Sequence, residues 1–286
     1  MARQLVEGFV TGLHKSPYHG FSVEFAEHRL YNPGQSTRHI DWKVLARTDR
    51  LFTRSYEEET NLRCMLMVDQ SPSMFYPKPG HRKFQFAVEA AAAIAWLLHL
   101  QRDATGLCLF DSEVRSITQP RSTRSGLDKL FISLETARQH APATQGVSKV
   151  AEVLHEIAEK IHRRSLIVLF TDMFDQSGSL DTVMRGLQHL RHNKHEVLIF
   201  HVFDGQTESR LDFDDRPHRF IDLETGETLK LNPADIRQAF EKRLEDFQRE
   251  LDEKCAQLRI DLVRCDVRNG IIPVLQSYLI KRGRMN

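Results

Sequence analysis

Two aspartates and a small set of hydroxyls stand where they could hold a divalent cation. Leu62-Arg63-Cys64-Met65-Leu66-Met67-Val68 reads as a strand and runs into Asp69-Gln70-Ser71-Pro72-Ser73-Met74, so a carboxylate and two hydroxyls follow at alternate positions. A second strand-like run, Leu166-Ile167-Val168-Leu169-Phe170-Thr171, ends in Asp172. In a parallel sheet both carboxyl ends lie on one edge, and ligands of open α/β sheets bind outside that edge. Asp69 and Asp172 are therefore expected to face one site. Ser148, at the head of a helical stretch, could bring a further hydroxyl to the same edge. Two carboxylates with neutral hydroxyls suit a hard cation such as Mg²⁺ or Mn²⁺, which takes oxygen ligands and keeps some water. The ion would stay electrophilic, so that an acidic side chain of a partner protein could complete its coordination. The same residues also have plainer uses. Aspartate after a strand often caps a helix or turns the chain, and Ser148 is a good N-cap. Asp111 and Asp175 also follow strand ends but lack hydroxyls at this spacing, and read as turn residues.

The elements that must position these groups follow from the apolar pattern. Runs at 62–68, 106–110, 165–170, 196–203 and 259–264 read as strands, with helix-length stretches at 83–101, 124–138, 148–162, 180–192, 233–257 and 271–281. Short runs rich in Leu, Ile and Val, separated by helices, predict an α/β fold: a mostly parallel sheet with helices on both faces. Two hairpins depart from the alternation. One joins 106–110 to 113–118 at a sheet edge. The other, 220–223 with 228–231, belongs to an insertion over 206–232. The stretch 87–100, with Trp96 among its apolar residues, predicts a core helix. Phe240, Leu244, Phe247 and Leu251 give the long charged helix a packing stripe. Residues 1–61 hold few long apolar runs and many Arg and His, and read as a separate N-terminal segment packed on a domain over 62–286.

Composition narrows the function classes. With 286 residues, 41% hydrophobic and 28% charged, the chain can bury a sizeable core without staples. A formal net charge of +1 carries no global footprint of a nucleic-acid binder or a membrane-surface protein. No stretch is long and apolar enough to span a bilayer, Glu7 interrupts any leader-like start, and no Cys-x-x-Cys occurs among the four cysteines, which together point to a cytoplasmic protein. Fourteen histidines include no His-Glu-x-x-His, so zinc is not expected. Ser71 stands where a haloacid dehalogenase-type phosphatase needs a second acid, and neither a Gly-x-Ser-x-Gly elbow nor a Gly-x-x-x-x-Gly-Lys loop is present. A Mg²⁺-dependent hydrolase is the enzyme alternative; it would need a base beside the metal, and none adjoins these motifs in sequence.

Asp69-x-Ser71-x-Ser73, Ser148 and Asp172 resemble the metal-ion-dependent adhesion site of von Willebrand factor A domains. Gly20-Phe21-Ser22-Val23-Glu24-Phe25, Arg29-Leu30-Tyr31-Asn32-Pro33-Gly34, Arg38-His39-Ile40-Asp41-Trp42-Lys43 and Tyr56-Glu57-Glu58-Glu59 resemble, more narrowly, a bacterial domain-of-unknown-function family (the DUF fifty-eight family) associated with MoxR-type AAA+ ATPases. That resemblance covers nearly the whole chain. It implies a von Willebrand factor A-like, Rossmann-type domain that is cytoplasmic and non-enzymatic. It also implies a protein partner, either the MoxR-type ATPase or a ligand offering an acidic side chain. Gln35-Ser36 replace the acidic pair that the family usually has after Pro-Gly, and Ser148 takes the place of a common threonine.

Overall fold

The computed structural model describes residues 22–30, 41–59, 62–77, 82–139, 150–162, 164–173, 180–272, 275–276 and 279. They fall into two compact units, one within Lys15–Leu62 and a larger one from Arg63 onward.

In the smaller unit, β1 (Ser22–Leu30) pairs antiparallel with β2 (Phe52–Glu59), in a register that runs from Ser22 opposite Glu59 to Leu30 opposite Phe52. Between them lies α1 (Trp42–Thr48). The Asp41 carboxylate caps its first turn by accepting from the amides of Lys43 and Val44, and Asp49 ends it in the left-handed conformation. Sequence reading found no strands here. A bulge between Phe25 and Glu27 breaks the two-residue period, and Glu57-Glu58-Glu59 hides the second strand behind charge.

The larger unit is built on a six-stranded sheet. Its strands are β3 (Arg63–Asp69), β4 (Ala104–Phe110), β5 (Val114–Arg121), β6 (Leu166–Thr171), β7 (Glu196–Phe203) and β10 (Asp261–Asp266), in the order β10-β7-β6-β3-β4-β5. All neighbours are parallel except β5, which folds back on β4 as the expected edge hairpin. The helices are α2 (Arg82–Leu100), α3 (Arg124–Gln139), α4 (Val150–Lys160), α5 (Leu180–His192) and α6 (Pro233–Gln257). The strands β8 (His218–Ile221) and β9 (Thr228–Leu231) form a separate two-stranded hairpin inside the expected insertion.

Both faces of the sheet are covered, which is why its strands read as continuous apolar runs. Met65, Met67, Cys108, Phe110, Ile167, Leu169, Val197 and Ile199 pack with α4, α5 and the Leu251 and Cys255 of α6. The alternate residues of the same strands are also buried, and α2 packs on that side against β3, β4 and β7 and against α3. Ala87, Ala90, Ala91, Ala93 and Ala95 let α2 lie close to the sheet. Trp96 is only half-buried; instead of entering the core it lies under the Arg124 guanidinium, 5.2 Å from the ring centre. On the opposite face, Gly186 lets α5 approach α4 so closely that a Cβ there would sit 2.9 Å from Leu154 Cβ.

Chain order fixes where a site can form. From β3 the chain goes first to β4 and β5 on one side, then to β6, β7 and β10 on the other. The crevice at the carboxyl ends of β3 and β6 is thus the topological switch point of the sheet. Asp69 and Asp172 stand at those two ends.

Candidate cation site

Asp69 is the last residue of β3 and is fully buried. One carboxylate oxygen accepts from the Ser71 amide at 2.8 Å, and the other accepts from the Thr171 hydroxyl at 2.6 Å. The Thr171 oxygen itself accepts from the Met173 amide, so its proton is committed to Asp69. After Asp69 the chain makes a short 3₁₀ turn, Pro72–Phe75, with Pro72 at a first-turn position where its missing N–H costs nothing. This turn brings the Ser71 and Ser73 hydroxyl oxygens to 3.0 Å of each other. Two contacts hold the loop: the Gln70 amide donates to the Phe110 carbonyl of β4, and Phe75 stacks on Phe84 of α2 at 4.6 Å.

The residue before Phe84 is also buried. Lys83 is buried at 1% exposure, and its ammonium donates to Asp172 Oδ2 at 2.9 Å and to Glu208 Oε1 at 2.5 Å. Glu208 comes from the loop after β7, and its second oxygen accepts from the Asp204 amide. Asp204 is buried as well; it accepts from the Gln206 and Thr207 amides and from two nitrogens of Arg268.

Burial and charge act differently on these groups. Burial, and next the carboxylate of Asp172, push the Asp69 carboxyl up from 3.8 to about 7, against the lowering effect of the Thr171 and Ser71 hydrogen bonds. No Lys or Arg among the described residues forms an ion pair with Asp69. For Lys83, burial alone would favour the neutral amine, but Asp172 and Glu208 outweigh it and hold the side chain firmly as an ammonium. Burial raises Glu208 above the usual carboxylate range although Lys83 opposes it. Burial also works to raise Asp204, yet Arg268 and the Thr207 and Gln206 amides keep it below that range.

Of the residues expected from sequence, Asp69, Ser71 and Ser73 come together on one loop, and Asp172 faces the same edge. Asp172 is engaged by Lys83, which the spacing argument did not foresee. Ser148 and Asp175 lie outside the described residues. Asp111 is the expected turn residue, accepting from the Glu113 amide and pairing with Arg115. Sequence reading missed Thr171, Lys83 and Glu208. Thr171 was legible in principle as the hydroxyl just before Asp172, whereas Lys83 looked like an ordinary basic helix start. Among the described residues no group of three or more His, Cys, Asp and Glu converges on a metal position. The set here is of another kind, two carboxylates with hydroxyls. His189 meets His155 at an exposed contact across α4 and α5, with Nδ1 atoms 3.0 Å apart.

Among known proteins, uncharacterised proteins Mb1516 of Mycobacterium bovis and Rv1480 of Mycobacterium tuberculosis are each 28% identical to this chain over 202 residues. The alignment covers 71% of this chain and 62% of theirs, so the chain spans less than two thirds of the length of these relatives. Among solved structures, the conserved hypothetical protein BatB from Bacteroides thetaiotaomicron aligns with 13% identity and a TM-score of 0.45, over 78% of this chain and 99% of that one. A von Willebrand factor type A protein from Catenulispora acidiphila aligns with 15% identity and a TM-score of 0.37, over 54% of this chain and 34% of that one. No helix among the described residues is long and apolar enough to cross a membrane. The model of the family described as protein of unknown function DUF58 matches residues 27–250, and the chain belongs to that family.

Proposed function

We propose that this chain is a non-enzymatic protein-interaction domain that receives an acidic side chain of a partner through a divalent cation, Mg²⁺ or Mn²⁺. Asp69, Ser71 and Ser73 would hold the ion, with Asp172 as the second carboxylate. The observation that carries this reading is the state of Asp69. It is a fully buried carboxylate that accepts from Ser71 and Thr171, with a second carboxylate nearby and, among the described residues, no ion-paired base. Such a group ionises near neutral pH at a cost that a nearby positive charge would relieve, and the paired Ser71 and Ser73 hydroxyls provide the oxygen donors a hard cation prefers. When bound, the ion supplies an electrophilic position for an incoming carboxylate. The protein's part is to hold Asp69 in place through Thr171 and to keep the Ser71–Ser73 loop fixed on α2 through Phe75 and Phe84.

The partner rests on the family resemblance: a MoxR-type AAA+ ATPase, for which this chain would serve as adaptor, or a protein ligand of that system. The four buried free thiols, Cys64, Cys108, Cys255 and Cys265, suit a reducing cytoplasm. A Mg²⁺-dependent hydrolase at the same site would need a basic group to activate water. Lys83 is a poor candidate because two carboxylates hold its proton, and burial lowers His201 to about 4, which makes it a weak base.

Calorimetric titration of MgCl₂ and MnCl₂ into EDTA-stripped protein, beside the Asp69→Ala variant, tests the reading. The expected result is one binding event in the native chain that the variant lacks. Equal binding in both, or none in either, refutes it. With the site established, binding of the purified MoxR-type ATPase should depend on the metal and be lost in Asp69→Ala.

A further inference from the structure

Lys83 has no part in the cation reading as it stands, yet it is a deeply buried charge beside it. Its ammonium is 1% exposed and touches Asp172, one of the two carboxylates the cation would share. Its second partner differs in kind. Asp172 is 7% exposed at the end of a core strand, whereas Glu208 is 30% exposed and comes from a loop. That loop is braced independently of Lys83. Glu208 accepts from the Asp204 amide, and Asp204 is tied to Arg268 by two hydrogen bonds. The ammonium therefore sits between a carboxylate inside the site and another outside it, each within direct reach.

We propose that Lys83 sets the affinity of the cation site by competing for Asp172, and that Glu208 is the carboxylate that keeps Lys83 when Asp172 is given up. This rests on the cation reading above and adds two residues to it. With the site empty of metal, Lys83 neutralises Asp172. When the site is filled, Lys83 moves off Asp172 and remains paired with Glu208, so its charge is never left buried without a counter-charge, which would be costly. The two residues should then act with opposite sign. Removing the Lys83 charge frees Asp172 and relieves repulsion between ammonium and metal. Removing the Glu208 charge leaves Asp172 as the sole anionic partner of Lys83 and tightens its hold.

The test is calorimetric titration of Mn²⁺ into EDTA-stripped native protein and the Lys83→Met, Glu208→Gln and Lys83→Met/Glu208→Gln variants. The double variant removes one charge of each sign, so it covers the case in which Lys83→Met alone fails to fold. Lys83→Met is expected to bind about tenfold tighter or more, and Glu208→Gln about tenfold weaker. The double variant should bind at least as tightly as the native chain. On the native chain itself, the ¹⁵N resonance of the shielded Lys83 ammonium should shift during Mg²⁺ titration with the calorimetric midpoint. If the native chain binds metal but Lys83→Met is unchanged or weaker, or the ammonium signal does not respond, competition by Lys83 is overturned while the cation reading stands. If Glu208→Gln binds as tightly as the native chain, the role of Glu208 is overturned. If Lys83→Met binds and the native chain does not, the cation reading of the native chain is refuted and the competition that rests on it falls with it. If no protein in the series binds, the cation reading fails and the competition falls with it.

Discussion

Replacing Asp69 by asparagine should make the metal-free protein more stable at neutral pH, contrary to the usual effect of removing a buried hydrogen-bonded group. Raising the carboxyl from 3.8 to about 7 corresponds to about 4 kcal/mol, at about 1.4 kcal/mol for each factor of ten. The sign follows from proton binding. The native state holds this proton more tightly than the unfolded chain, so the stability it contributes is fully present below 3.8 and is lost as pH rises through about 7. A carboxamide never ionises and escapes that loss. It forfeits the charge-assisted character of the Thr171 hydrogen bond, about 1–2 kcal/mol, which leaves a net gain of about 2–3 kcal/mol at pH 8. Urea unfolding in EDTA should show Asp69→Asn ahead of the native chain at pH 8. The gap should narrow by about 3 kcal/mol toward pH 5, where the native carboxyl is mostly protonated. Adding Mg²⁺ at pH 8 should close the gap from the other side, by stabilising the native protein and not the variant. A difference that does not change with pH, or a variant weaker than the native chain at pH 8, would refute the assignment of Asp69 as an uncompensated buried acid.

Two further outcomes follow from the same structure. Metal binding should release protons: near one proton at pH 6, where Asp69 still carries its own, and almost none at pH 8.5, as read from calorimetry in buffers of different ionisation enthalpy. Gly106→Ala should destabilise by about 3 kcal/mol or more, because a Cβ would lie 2.5 Å from the Thr118 carbonyl and 2.9 Å from the Pro120 nitrogen, backbone atoms that cannot rotate away. A thermal midpoint within 2 °C of the native value, where a loss of this size calls for roughly 6 °C or more, would show that the β4–β5 register yields more easily than this geometry allows.

The sheet and the position of the site were legible because they depend on local pattern. A strand covered on both faces reads as a continuous apolar run, as residues 64–68 of β3 and 166–170 of β6 do, and the first charged residue after such a run lies at the strand's end. Asp69 and Asp172 were found that way. The ion pairs were not legible, because Lys83 meets Asp172 across 89 positions and Glu208 across 125, and nothing near Lys83 in sequence distinguishes it from a solvated helix start. What holds Lys83 inward is its pairing with Asp172 and Glu208, and those contacts are tertiary. Glu208 was hidden for another reason: the segment that contains it read only as a hairpin insertion, whereas Glu208 near its start reaches back to Lys83.

Charge balance ties the two kinds of information together. Asp172 and Glu208 share the Lys83 ammonium and Asp69 lies beside Asp172, so with all three acids ionised the edge carries two negative charges in excess. Arg268 does not relieve this, because it is committed to Asp204. The excess can be met by a proton on Asp69 or by a bound cation, and burial makes leaving it unmet expensive. A proton serves below about pH 7, and above it the cation is the alternative that also uses the Ser71 and Ser73 hydroxyls. A divalent ion matches the excess, whereas a second lysine would have restored only half of it. On the same arithmetic Lys83 can give up Asp172 when the site fills: its positive charge would still have Glu208, and the ion would answer for Asp69 and Asp172.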